Sequence, residues 1–346
     1  MAVLRKADVS SQIATVWSSD LFAQAESMTW WSAWEGPPGS TMPVIRKDDL
    51  MKGAGDTVKI DIVLALTGTG LTGDVVATEG NEEKLKLRQM SVPVDKVSHA
   101  VRWTELSQVL ITHDLRVTAQ NQLAKWLAGK LDTDIFNEMS GNGTSVIPTL
   151  NKWFSGTATT RNTIADSNAG GRLTLATMTE LKAYAQTELK IEPLRLENGE
   201  EMFGLIAHPY AIMQLKRDDT SWAQAQRDAR ERGLTNPLFT GAVGMWDGIA
   251  IYSSQRVPRS LNVGTPIQVA DNIFFGAQAV SRAYAQYPTW VEEFFSYGEE
   301  IGIATRVVKG ERVNIFDLTA AGGAADADKT AIGLVVVYSA AVAPAA

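Results

Sequence analysis

Apolar residues recur every fourth position from Leu115 to Met139: Leu115, Ala119, Leu123, Leu127, Leu131, Ile135 and Met139, with Trp126 and Phe136 widening the stripe. A four-residue step drifts by about 40° each time on a 3.6-residue helix, so the stripe winds round one rod. Asp114 stands where a capping residue belongs, and Gly141 can close the end in a left-handed turn. The pattern predicts a single helix over 115–139, about 37 Å long at 1.5 Å per residue.

Before this helix the period changes to two. Thr57 to Leu64 alternates as a strand, and so do Lys84 to Gln89 and Ser91 to Asp95. Between them lie a Gly/Thr-rich stretch (67–73) and the acidic run Glu79-Gly80-Asn81-Glu82-Glu83. These predict a long antiparallel hairpin over 53–103 with a wide polar tip. Such a ribbon has little core of its own and needs a surface to lie on, and a partner is the favoured one.

Residues 1–52 read as an arm. Ile13, Val16, Trp17, Leu21, Phe22 and Ala25 line one stripe of a short helix over 12–28, which the breaker Glu35-Gly36-Pro37-Pro38-Gly39 follows. A neighbouring subunit would serve to cover that stripe.

After Gly141 come loops with one short strand, then a helix over 175–189 capped by Thr174, a strand over 202–207, and a turn at His208-Pro209-Tyr210 into another helix. A polar helical stretch over 221–232 leads to Asn236-Pro237. Strands are predicted at 248–254 and 272–276, and the Ala-rich segment 277–284 reads as a short helix. Residues 301–317 look like paired strands turning at Lys309-Gly310-Glu311, and a last strand occupies 332–338.

Composition narrows the function. A formal charge of −7 argues against a free sequence-specific DNA binder but not against a surface that encloses nucleic acid. With no Cys, disulfides, thiolate zinc sites and thiol nucleophiles are excluded. The N-terminus lacks the apolar core of a signal peptide, and no apolar run reaches the roughly 18 residues of a membrane span. The expectation is a protein made in a cytoplasm-like compartment. Ten Trp, three of them bunched at Trp30, Trp31 and Trp34, suggest packing or interface anchors.

Enzymatic templates fail one by one. His99, His113 and His208 are far apart, and His208 before Pro209 reads as a turn residue rather than a ligand. Gly-x-Ser-x-Gly and the phosphate-binding G-x-x-x-x-G-K-[ST] are absent. Gly68-Thr69-Gly70-Leu71-Thr72-Gly73 matches a bare dinucleotide string but opens no helix. Glu292, Glu293, Glu299 and Glu300 could form an acid/base pair, and Glu79, Glu82 and Glu83 could gather around calcium, but solvated or salt-bridged faces explain both groups. No cofactor is implied.

An arm, a polar-tipped hairpin, one long helix, a compact α/β region and returning strands follow one another in a specific order. That order resembles the tailed-phage major capsid protein of the Hong Kong 97 type. The local strings are also similar to a large subfamily: Leu66-Thr67-Gly68-Thr69-Gly70-Leu71-Thr72-Gly73-Asp74 with Glu79-Gly80-Asn81-Glu82-Glu83, His99-Ala100-Val101-Arg102, and Asp114-Leu115-Arg116. Later come His208-Pro209, Asn236-Pro237-Leu238-Phe239-Thr240-Gly241, Arg256-Val257-Pro258, Phe275-Gly276-Ala277-Gln278-Ala279 and Tyr297-Gly298-Glu299-Glu300-Ile301-Gly302.

The resemblance implies an α+β capsid fold and a structural, non-enzymatic role. It divides the chain into an arm (1–52), an extended hairpin (53–103), a peripheral domain (104–172 and 281–318) with spine helix 115–139, an axial domain (173–280) and a C-terminal extension (319–346). Copies would form hexamers and pentamers of an icosahedral head shell around double-stranded DNA held without sequence-specific binding. A portal, and scaffolding or cement proteins, would join them in the virion, with no membrane. Expected contacts between copies are Asp74, Glu79, Glu82, Glu83, Lys84, Lys86 and Arg88 on the hairpin. Trp17, Trp30, Trp31 and Trp34 are expected to make contacts from the arm, and Asn236, Pro237 and Phe239 at the capsomer centre. The alternative is a carbohydrate-binding or adhesin-type module using exposed Trp, with a glycoside hydrolase a third reading.

Overall fold

A computed structural model describes residues 21–51, 55–63, 66, 82, 84–85, 87–111, 114–141, 151–197, 200–218, 222, 242–262, 266–317 and 329–344. The chain enters through a helix at 21–28 (α1) and a 3-10 turn at Trp31–Trp34. Short strands β1 (Glu35–Gly36) and β2 (Val44–Lys47) follow. Next come the hairpin strands β3 (Thr57–Val63) and β4 (Leu87–Pro93), strand β5 (Asp95–Thr104), and helices α2 (Glu105–Leu110) and α3 (Leu115–Ser140).

Helix α3 forms as its pattern requires. The Asp114 carboxylate accepts from the backbone N–H of Arg116 at 2.9 Å, and Gly141 ends the helix at φ 80°. Ala119, Leu123, Leu127, Leu131, Ile135 and Met139 are all buried, whereas Leu115 at the first turn is only half covered.

The rest of the chain builds two sheets. Strand β6 (Lys152–Phe154), helix α4 (Leu175–Thr187, capped by Thr174), strands β7 (Arg195–Glu197) and β8 (Glu200–Ala207), and helix α5 (Pro209–Asp218) come first. Strands β9 (Gly244–Trp246), β10 (Ile249–Ser253), β11 (Arg259–Leu261), β12 (Gln268–Phe275), β13 (Val280–Phe295) and β14 (Glu300–Val313) follow. Strands β15 (Ile315–Asp317), β16 (Lys329–Ala331) and β17 (Leu334–Ala340) end the described chain. The five-stranded sheet runs β1-β2-β13-β14-β5 and packs beneath α3. The larger sheet runs β6-β17-β12-β8-β10-β9.

Four expectations are corrected. Ala277 to Tyr284 is no helix: Val280 begins β13, which lies between β14 and β2, and Val280 to Tyr284 are all buried. Burial against both flanking strands overrides the helical preference of an Ala-rich segment. Lys309-Gly310-Glu311 makes no turn, because β14 runs straight through it beside both β5 and β13. The hairpin is confined to β3 and β4, while 95–104 joins the five-stranded sheet. The last strand, expected in an extension, is an interior strand of the larger sheet, and every residue of β17 is buried.

The end of the arm lies on its own chain rather than on a neighbour. Leu21 and Ala25 of α1 pack against Ala119 and Leu123 of α3, and Gln24 donates to Asn121 at 2.9 Å. The Asp132 carboxylate, fully buried, accepts from the N–H groups of Trp30 and Trp31 and pairs with Arg256. Burial pushes this carboxyl above its ordinary range, against the opposing pull of the two N–H groups and the guanidinium.

Candidate assembly surfaces

The hairpin has an anchored base and a projecting end. Strands β3 and β4 pair from Thr57↔Pro93 to Val63↔Leu87. At the base, Val58, Met90 and Val92 are buried against Ala283 and Phe316, and Arg312 donates to the Ser91 carbonyl at 2.7 Å. Toward the distal end this cover is lost. Val63, Leu66, Leu85 and Leu87 are each about 60–70% exposed, an apolar display that the described residues leave uncovered.

A second apolar surface lies at the end of the five-stranded sheet. Helix α2 is capped by Thr104 and buries none of its residues. Leu106, Val109 and Leu110, and Ile111 just beyond, all face outward. The N–H of Glu105 bonds the Glu299 carbonyl at 2.8 Å, which ties α2 to the turn between β13 and β14. In that turn Ser296 (φ 51°), Tyr297 (φ 60°) and Gly298 (φ 98°) are successively left-handed. Left-handed backbone costs a residue with a Cβ roughly 1–2 kcal/mol. The result is a tyrosine ring held entirely in solvent.

The expected contact residues separate into three groups. Glu82 and Lys84 are exposed at the hairpin's distal end, and Arg88 is partly covered on β4. Asp74, Glu79, Glu83 and Lys86 of the hairpin, Trp17 of the arm, and Asn236, Pro237 and Phe239 lie outside the described residues, as do the polar tip, His113 and most of the stretch 221–232. Trp31 and Trp34 are corrected: they belong to the chain's own core, against Phe136 and Phe275, with almost no surface left for a neighbour. Trp30 is half-buried, stacked on Trp34 and edge-on to Tyr252. The α2 face and Tyr297 were missed by sequence reasoning. The i, i+3, i+4 spacing of Leu106, Val109 and Leu110 marks a helix face, but spacing alone does not say whether that face is covered.

Of the four carboxylates weighed for catalysis, Glu292 and Glu300 are held in ion pairs. Glu292 meets Arg116 at 2.7 Å, and Glu300 meets Arg102. His99 stacks on Trp126 with ring centroids 4.6 Å apart. His208 sits at the turn into α5 as its sequence context predicts, its Nδ1 accepting from the N–H of Tyr210 at 3.2 Å. Burial, helped by the charge of Arg259, pushes its pKa down to about 4. Among the described residues, no group of three or more His, Cys, Asp or Glu could hold a metal ion, no helix is long and apolar enough to cross a membrane, and no Trp is exposed.

A projecting ribbon, a spine helix over one sheet, a second sheet domain and large uncovered apolar faces define a shell-forming structural protein. The chain belongs to the phage capsid protein family, whose sequence model matches residues 6–343. It is 28% identical over 347 residues to the major capsid protein of Pseudomonas phage KPP25, covering 88% of this chain and 90% of that one. Its fold is similar to the capsid of Ralstonia phage GP4, with a TM-score of 0.76 at 22% identity, covering 92% of each chain. The capsid asymmetric unit of cyanophage Pam1 is also similar, with a TM-score of 0.72 at 20% identity, covering 91% of this chain and 92% of that one. The fold is the Hong Kong 97-like capsid fold expected from the order of elements.

Proposed function

We propose that copies of this chain form the hexamers and pentamers of an icosahedral phage head around double-stranded DNA, and that the hairpin of each copy lies across its neighbour. The observation that carries the hairpin's role is its split cover. The base is fastened to β14 and β15, while Val63, Leu66, Leu85 and Leu87 extend beyond any surface of their own chain among the described residues. An isolated two-stranded ribbon is marginal in water, so a neighbour that covers its distal end stabilises both. Repeated modest contacts then act together, because a copy held by several neighbours leaves only when all of them break.

Asp74, Glu79, Glu82, Glu83, Lys84, Lys86 and Arg88 supply mixed charges suited to pairing across that contact. Residues 173–280, with Asn236, Pro237 and Phe239, are assigned to the capsomer centre as an axial domain. Residues 104–172 and 281–318 are assigned to the peripheral domain. A portal and scaffolding or cement proteins complete the particle. The net charge of −7 suits a container that limits sticking to the DNA it holds.

Reversing Glu82 and Glu83 together to Lys tests the hairpin. Shell yield should fall while circular dichroism and the melting temperature of the free subunit stay unchanged. Normal shells from this variant would remove the hairpin charges from the assembly contact.

A further inference from the structure

Lysine is seldom sealed in a protein interior, yet the Lys309 side chain on β14 is 1% exposed. Its Nζ touches two carboxylates: Oδ2 of Asp134 on α3 at 2.7 Å, and Oε1 of Glu311, two residues along β14, at 2.6 Å. Their side chains are 18% and 7% exposed. The other oxygen of Asp134, Oδ1, accepts from the Lys130 ammonium at 2.7 Å, one turn earlier on α3. Arg282 completes the surroundings, its Nε 3.3 Å from Oε1 of Glu311. One buried amine, two carboxyls and a second ammonium therefore converge at a place nearly closed to water.

Ion pairing balances these charges, and the same arrangement meets the geometry of amide formation. We propose that Lys309 and Asp134 form an isopeptide bond within the chain, with Glu311 carrying the proton and Lys130 stabilising the oxyanion. Burial disfavours charged forms, so one proton passing from the Lys309 ammonium to Oδ2 of Asp134 leaves a neutral amine beside a neutral acid. Fixed contact replaces a collision by a unimolecular step. The nitrogen lone pair attacks Cγ of Asp134, and the carbonyl electrons move onto Oδ1, where Lys130 already donates. Glu311 takes the surplus proton from the nitrogen and hands it to Oδ2, which leaves as water. The C–N bond forms, the C–Oδ2 bond breaks, and Oδ1 returns to a carbonyl. An ammonium and a carboxylate become one amide and one water, with no oxidant or cofactor.

The bond suits its place in the fold. It joins residues 175 apart in sequence. Gly310, between Lys309 and Glu311 on β14, lies against Pro93 at the hairpin base. Spine, sheet and hairpin root are thereby fastened at one point. The chain has no Cys, so a disulfide cannot make this link. A covalent link that closes so long a loop stabilises by restricting the unfolded chain, as a disulfide does.

The test is the intact mass of the full chain under denaturing conditions, before and after folding. Chain dissolved fresh in denaturant should show the full sequence mass, and the folded subunit should be lighter by one water. Tandem mass spectrometry of a digest should then find a branched peptide joining residues 134 and 309. Lys309→Arg keeps a cation without a nucleophilic amine, and Asp134→Ala removes the acid, so both should keep the full mass. Asp134→Asn should lose one ammonia in place of one water. Glu311→Gln, checked for folding by circular dichroism, should form the bond about 100-fold more slowly or worse. If these variants misfold, the mass and the branched peptide of the parent decide alone.

A folded parent that keeps the full sequence mass after prolonged incubation would overturn the proposal. So would a loss of water that persists in folded Asp134→Ala. A branched peptide found only in species at multiples of the subunit mass would also overturn it, by placing the bond between copies. Every reading is made on the free subunit, so this proposal and the assembly role fail separately.

Discussion

Arg282 and Glu35 form an ion pair sealed inside the molecule, with the guanidinium side chain 2% exposed and the carboxylate side chain 9% exposed. The pair joins β13 to the arm. Arg282 also donates to the Leu131 carbonyl of α3 at 2.9 Å and lies against Glu311, which Lys309 shares with Asp134. Arm, spine and sheet therefore meet in one buried polar network.

Breaking this network from one side should be costly, because it strands a charge in the interior. Arg282→Met should destabilise the free subunit by about 3–5 kcal/mol, read as a lower urea midpoint. Arg282→Lys keeps the charge but loses the forked geometry and should fall between the two. A midpoint for Arg282→Met equal to the parent's would mean the pair contributes little to holding the arm.

Trp31 is the largest fully buried side chain among the described residues, and its replacement separates core from interface. Trp31→Ala should cost the isolated subunit about 3–5 kcal/mol, as for other large core aromatics. A side chain that served only a neighbour would leave the monomer's denaturation curve where it was and change assembly alone.

Gly310 faces the base of the hairpin so closely that a Cβ there would collide with the Pro93 carbonyl oxygen. Both Pro93 and β14 are fixed by strand pairing, so the clash has no flexible side chain to absorb it. Gly310→Ala should destabilise the subunit by about 1–3 kcal/mol and shift the hairpin away from the sheet. Hydrogen exchange on β3 and β4 should rise in parallel. Protection equal to the parent's would show that the base accommodates the methyl group.

His208 predicts an acid response. Its pKa is near 4 in the folded chain and about 6.5 when unfolded, so between those values only the unfolded chain binds the proton. Stability from this residue is complete above pH 6.5 and declines as pH falls toward 4, by up to about 3 kcal/mol. Protonated Nδ1 could no longer accept from Tyr210 at the start of α5, and its charge would oppose the helix dipole. In His208→Asn, which keeps an acceptor at the cap, the melting temperature should fall less steeply over this range. An unchanged slope would assign the acid sensitivity to other groups.

Helix α3 and the hairpin were legible because their signals are local. A cap at Asp114, a repeated four-residue step and a terminating Gly141 require only neighbours in sequence. The alternation in 57–64, 84–89 and 91–95 is of the same kind. The segment 277–284 misled for the opposite reason: its Ala and Gln favour a helix, but strands from residues 44–47 and 300–313 close on both sides of it. Gly310 looked like a turn residue, whereas glycine is needed there for the approach of Pro93, far away in sequence. The tryptophans announced burial but not which molecule supplies it.

The sequence by itself determined the periods, the caps, the absence of thiol chemistry and the order of elements that identifies the capsid family, since each is written in neighbouring residues or in their order. Only the tertiary structure decided which apolar faces the chain covers and which it leaves open. Trp31 and Leu110 are both apolar residues near short helical turns, yet one is sealed under α3 and the other stands in solvent. Burial depends on what the rest of the chain brings to a surface, and that is a property of the whole fold.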